Sequence, residues 1–234
     1  MTRERSSRRQ ERSYSWLFGS NQPHNKLNMN ATTSAPAPPH FLESFLVILA
    51  FFHLSEFLIA FAYNRNLLNR HSWLFSVPYC SAMALGLCEY FFVDYGAMLG
   101  QETIARVHKI GIMTCLVGET IRKWAEIHAK HNFTHVIQTE KRATHSLVTE
   151  GPYKIFRHPG YFGWFLWAPG TQLVLGNVVS FMVFVGVSWR FFYKRIPVEE
   201  YFLERMFGEE TYARYRQKTK TYREILKCSH FKAD

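Results

Sequence analysis

Gly151-Pro152-Tyr153-Lys154-Ile155-Phe156-Arg157-His158-Pro159-Gly160-Tyr161 puts two proline turns, two tyrosines, a histidine and two cations between a polar segment and a long apolar one. Each proline forces the residue before it out of the helical region, so Gly151 and His158 belong in extended or turn backbone. Pro159 then suits the first turn of a helix that runs on through Tyr161-Phe162-Gly163-Trp164-Phe165-Leu166-Trp167. The stretch reads as a rigid polar entry at the mouth of a membrane span. Basic and aromatic residues beside a span are also common interface anchors, and taken alone the stretch leaves both readings open.

Downstream of it, Gly160 to Leu175 and Val178 to Tyr193 are two apolar runs separated only by Gly176-Asn177, which predicts a tight helical hairpin. Each run is slightly short for a full crossing, so tilt or local thinning is needed. Upstream, Phe41 to Tyr63 is long and apolar enough for a hydrocarbon core of about 30 Å. A second span is expected from about Trp73 to Val93 with a kink at Pro78, and a weaker third from Val107 to Ile121. Residues 1–40, rich in Arg, Ser, Asn and Pro, have little means of building a core and are expected to be disordered. The fold class is therefore all-α: a polytopic integral membrane helical bundle of about five spans, including a tight C-terminal helical hairpin. N-terminal transmembrane helices fill 41–129, and the polar insert, the hairpin and a cytosolic C-terminal helix fill 130–234.

Composition agrees, with 47% hydrophobic residues, 17% aromatic, 21 Phe and 6 Trp. The net charge of +10 calls for contact with anions, and with several apolar segments present membrane lipid is favoured over nucleic acid. The four cysteines show no close pair at metal-ligand spacing. Cys228 is not placed as a prenylation signal, because six residues follow it. The loop after the third span and the tail are basic, which places both on the cytoplasmic side. Five spans then put the N-terminus opposite, in conflict with Arg3, Arg5, Arg8, Arg9 and Arg12.

Ionisable residues inside spans mark candidate sites. His53 and Glu56 lie three apart on one helix face, as a site or as a His-Glu bond that locks helices together. The insert 122–158 carries five histidines, but His131 and His135 flank an extended Phe133-Thr134, and no metal site is expected. After Pro197 a new helix is expected, with Glu199, Glu200 and Glu204 in its first turns.

Asn132-Phe133-Thr134-His135-Val136-Ile137-Gln138, His145 to Tyr153, Phe156-Arg157-His158-Pro159-Gly160-Tyr161 and Trp189-Arg190-Phe191-Phe192, followed by Arg195 and Glu199-Glu200, occur here in order. Together with the Phe-His-x-Ser-Glu pattern of the first span, they closely resemble the isoprenylcysteine carboxyl methyltransferase family over roughly Phe41 to Tyr222. The resemblance implies a multi-pass endoplasmic-reticulum membrane enzyme with its active site facing the cytosol, with 130–234 as the catalytic region and its polar insert forming a cytosolic cofactor pocket. It would transfer a methyl group from S-adenosyl-L-methionine to the C-terminal carboxylate of prenylated cysteine in CaaX-processed proteins such as small GTPases. By the same resemblance, cofactor-binding positions are Gln138, His145, Ser146, Leu147, Val148, Tyr153, His158, Pro159, Gly160, Tyr161 and Glu199. Arg195 is implied as the substrate-carboxylate residue, and Arg195 and Glu199 as catalytic. The other readings are an enzyme like a sterol reductase or phospholipid methyltransferase, which share an Arg-His-Pro-Tyr type of motif, and a non-catalytic membrane scaffold.

Overall fold

The computed structural model describes residues 39–68 and 70–221, all within one unit, Ser34–Asp234. The expected disordered N-terminus, up to residue 38, and Cys228 lie outside the described residues. Among the described residues eight α-helices follow in order: α1 (Pro39–Asn64), α2 (Val77–Phe92), α3 (Tyr95–Leu99), α4 (Gln101–Ala129), α5 (Pro152–Ile155), α6 (Pro159–Leu175), α7 (Val179–Phe207) and α8 (Glu209–Lys218). There is no named strand among the described residues, only an isolated parallel bridge between Phe156 and Lys220.

By length and apolar composition one segment, His40–Leu67, qualifies as membrane-crossing among the described residues. Helices α4 and α7, at 29 residues each, are long enough at roughly 44 Å but carry ionisable side chains. Helices α2 and α6, at 16 and 17 residues, fall short of the roughly 20 residues a perpendicular crossing needs. Large apolar side chains nonetheless face outward on α1, α2, α4 and α7, among them Phe51, Leu85, Met113 and Val183.

Helices α4 and α6 make the central crossing, and glycine lets them approach. A Cβ on Gly163 would sit 2.5 Å from the carbonyl oxygen of Gly118, and one on Gly118 would sit 2.6 Å from that of Gly163. Gly111 meets the backbone of Val174 in the same way. Small residues at such a seam allow close backbone packing where lipid supplies no hydrophobic drive. Phe45, Phe52, Met83, Trp167, Val174 and Phe184 fill the core around it.

The hairpin forms as expected, for a local reason. Gly176 takes the left-handed conformation at φ 78° and ends α6, and the buried Asn177 donates to the Gly86 carbonyl (2.7 Å) and to Gln172 Oε1 (3.0 Å). Opposite it, Glu89 of α2 accepts from the backbone N–H groups of Val179 and Ser180, so a carboxylate caps the N-terminus of α7.

Two prolines behave otherwise than expected. Pro78 begins α2 in its first turn, where its missing N–H costs nothing, and does not kink it. Pro197 lies inside α7, which continues through it to Phe207, so Glu199 and Glu200 belong to the hairpin helix rather than to a new one.

Candidate active site

The organising stretch shapes the site through its backbone. Gly151, at φ 59°, turns into the single-turn α5, and a Cβ there would fall 2.6 Å from the His128 ring. His158 is the N-cap of α6 and Pro159 its first residue. Between them Arg157 anchors the C-terminal segment: its Nε donates to Glu200 Oε1 (2.7 Å), its Nη1 to the Thr219 carbonyl, and its backbone N–H to the Lys220 carbonyl. Tyr215 of α8 donates to the Tyr153 carbonyl at 2.7 Å. Helix α8 is thereby tied back against α5.

One cavity collects all eleven cofactor positions taken from the sequence: Gln138, His145, Ser146, Leu147, Val148, Tyr153, His158, Pro159, Gly160, Tyr161 and Glu199. Arg195 does not line it. It lines a second, mostly apolar chamber of about 380 Å³ with Phe52, Phe184, Val187, Phe191 and Phe192. Tyr161 lines both spaces. Its hydroxyl donates to Glu199 Oε2 and accepts from Arg195 Nε at 2.7 Å. Arg195 Nη2 donates to the His135 carbonyl at 2.8 Å, and Nη1 makes no hydrogen bond within the described residues.

In the sequence Glu200 has a place beside Glu199 but no assigned role in the site. It accepts from both Arg157 and His158 (Nε2, 3.2 Å). Burial would raise its carboxyl, but the hydrogen bonds and charges of His158 and Arg157 outweigh that and hold it at about 2. Adjacent carboxylates thus divide: Glu200 is committed to the protein, and Glu199 faces the cavity. Burial raises the phenols of Tyr153, Tyr212 and Tyr215, which stay neutral donors. Burial, followed by the charges of Arg142, His131 and Lys141, lowers His145, which favours its neutral ring.

His145 Nδ1 and the Tyr212 hydroxyl, both on the cavity wall, are buried with no hydrogen-bond partner among the described residues. Orphaned groups of this kind call for a polar ligand. With the Glu199 carboxylate and the Phe133 and Phe207 rings in the same wall, the donor set suits a cationic, aromatic and hydroxylated cofactor such as S-adenosyl-L-methionine.

His53 and Glu56 do not bond to each other, contrary to the helix-locking expectation. His53 Nδ1 lies 2.8 Å from the Trp73 carbonyl, which can only accept, so Nδ1 carries the proton and Nε2 accepts from Tyr79. Glu56 instead pairs with Arg122 and Lys123. Glu56, Glu126 and His135 bring possible metal-ligand atoms within 4.8 Å of one another, but the Arg122 and Lys123 cations already pair with both carboxylates.

Fold and site define an all-helical membrane enzyme in which a polar cavity and an apolar chamber share one wall. The family model for the isoprenylcysteine carboxyl methyltransferase family matches residues 110–205. A probable protein-S-isoprenylcysteine O-methyltransferase of Oryza sativa subsp. indica is 39% identical over 188 residues, covering 74% of this chain and 91% of the relative. Protein-S-isoprenylcysteine O-methyltransferase A of Arabidopsis thaliana is 41% identical, covering 71% and 85%. The Homo sapiens protein-S-isoprenylcysteine O-methyltransferase is 38% identical, covering 76% of this chain but 62% of the relative. The solved eukaryotic intramembrane Ras methyltransferase, isoprenylcysteine carboxyl methyltransferase, superposes with a TM-score of 0.73 at 35% identity, covering 81% of this chain and 68% of that one. This chain belongs to the isoprenylcysteine carboxyl methyltransferase family.

Proposed function

We propose that this chain transfers the methyl group of S-adenosyl-L-methionine to the C-terminal α-carboxylate of a prenylated cysteine, giving the methyl ester, on proteins such as small GTPases. The reaction takes place in the endoplasmic-reticulum membrane, at a site facing the cytosol. The observation that carries this reading is the double role of Tyr161, which lines both spaces and hydrogen-bonds to Arg195 and to Glu199. The names of the relatives in rice, Arabidopsis and human support the same chemistry.

When bound, S-adenosyl-L-methionine supplies an electrophilic methyl group on a positively charged sulfur. The chain supplies placement. An α-carboxylate with a pKa of about 3.5 is ionised at neutral pH, so no general base is required. Arg195, through Nη1, holds one carboxylate oxygen and leaves the other free to attack. The cavity wall, with Glu199, His158 and Tyr161, orients the donor, and fixing both partners in line is a large share of the rate enhancement. The chamber takes the prenyl chain, each buried methylene contributing about 0.8 kcal/mol.

The test is radiolabelled methyl transfer from S-adenosyl-L-methionine to N-acetyl-S-farnesylcysteine by the full chain in lipid vesicles, beside Arg195→Ala. Base-labile label that disappears in the variant supports the reading. No transfer by folded protein that binds the donor would overturn it.

A further inference from the structure

Glu56 lies on α1, outside both spaces described above, yet its fully buried carboxylate is where two hydrogen-bonded arms meet. On one side Arg122 donates from Nε to Oε1 (2.6 Å) and from Nη2 to Oε2 (2.7 Å), and its remaining Nη1 reaches the Gly160 carbonyl at 3.0 Å. Gly160 lines the cofactor cavity in the first turn of α6. On the other side His135 Nε2 lies 2.7 Å from Oε2 and, against a carboxylate that only accepts, donates to it. The backbone carbonyl of the same His135 accepts from Arg195 Nη2 at 2.8 Å. Lys123 also contacts Oε1 and bonds Glu126 at 3.0 Å.

A buried ion pair whose only role is to pin α1 to α4 needs Arg122 and Glu56 alone, and such pairs contribute little net stability over apolar packing. Neither His135 nor the reach to Gly160 is required for that. Both arms end instead on site elements: the carbonyl behind the substrate-side arginine, and the carbonyl at the start of the cofactor-side helix. Ionisable groups at this depth are costly and tend to mark function.

We propose that Glu56 is a positioning residue for the methyl-transfer reaction, holding Arg195 through His135 and the cofactor wall through Arg122 and Gly160. This rests on the reading under Proposed function. His135→Ala removes the bond to Glu56, and with it a ring that lines the apolar chamber, while leaving the Arg122–Glu56 pair in place. Glu56→Gln loosens both arms.

In the full chain in lipid vesicles, His135→Ala should raise the KM for N-acetyl-S-farnesylcysteine roughly tenfold, as expected for a lost hydrogen bond to a charge, with the KM for S-adenosyl-L-methionine within about twofold of wild type. His135→Gln, whose amide can still donate to Glu56, should recover most of the acceptor affinity. Glu56→Gln should raise both KM values and weaken S-adenosylhomocysteine binding by calorimetry. An unchanged acceptor KM in folded His135→Ala, or wild-type S-adenosylhomocysteine binding in folded Glu56→Gln, would overturn the inference. Wild-type protein that binds S-adenosylhomocysteine but does not methylate the prenylcysteine would instead overturn the reading beneath it.

Discussion

Tyr161 donates its hydroxyl proton to Oε2 of Glu199, across the wall that separates the cofactor cavity from the apolar chamber. The Tyr161 hydroxyl oxygen in turn accepts from Arg195 Nε, so one hydroxyl sets the spacing between the two residues assigned to donor and acceptor. Tyr161→Phe keeps the ring, which stacks on His158 at 5.4 Å and packs against Phe192. Stability should therefore change little, while kcat/KM falls roughly 10- to 100-fold, in line with losing a charge-linked hydrogen bond at the reacting centre. Steady-state kinetics beside a thermal unfolding scan would check both halves of this expectation.

Glu200 makes the site sensitive to acid. Its folded value is about 2 against an ordinary 4.5, so the folded state binds its proton more weakly than the unfolded state does. The stabilisation is fully present above about pH 4.5 and is lost as pH falls through the window down to about 2. Glu200→Gln should lower the thermal midpoint at pH 7 and flatten its decline between those limits. A variant whose acid limb matches wild type would refute the assignment of that limb to Glu200.

The chamber has a direction. Val183, Phe184, Val187, Ser188, Phe191, Phe192 and Arg195 follow one face of α7, and the rise from Val183 to Arg195 is about 18 Å. Ala82 of α2 packs against the cluster that contains Phe184, which lies about 16 Å along α7 from Arg195. Ala82→Phe should therefore raise the KM for a geranylgeranyl acceptor more than for a farnesyl one, with donor affinity unchanged. Competition between the two prenylcysteines in one assay would read the ratio, and equal effects would place the chain's far end elsewhere.

What the sequence made legible was local. Gly176-Asn177 announced a hairpin because glycine's left-handed turn and a short polar side chain act within a few residues. The cofactor positions came as a motif set and fall together around one cavity. Pro197 misled because a long helix packed on both sides holds its course through one missing backbone bond. Only the family resemblance separated Glu199 from Glu200 in the sequence; successive helical residues point about 100° apart, and packing against Arg157 is what gives Glu200 its separate role. The partner of Glu56 lies 66 residues away on α4, and no periodicity in one sequence encodes that pairing.

The seam between α4 and α6 gives the sharpest test of the fold. Gly163 and Gly118 face each other so closely that a methyl group on either meets the other's carbonyl oxygen near 2.5 Å, and backbone cannot swing aside as a side chain can. Gly163→Ala must separate the helices, and α6 carries His158, Pro159, Gly160 and Tyr161 at its N-terminal end. The substitution should cost about 1–3 kcal/mol or more through overpacking, and it should weaken donor binding because the cavity wall moves with the helix. Gly186→Ala is the matched control, since nothing lies within 4 Å of its added Cβ, and alanine there improves helix propensity in α7. Thermal midpoints of both variants in the same detergent would separate the two cases. A Gly163→Ala protein as stable as wild type would mean that α4 and α6 do not cross at this seam.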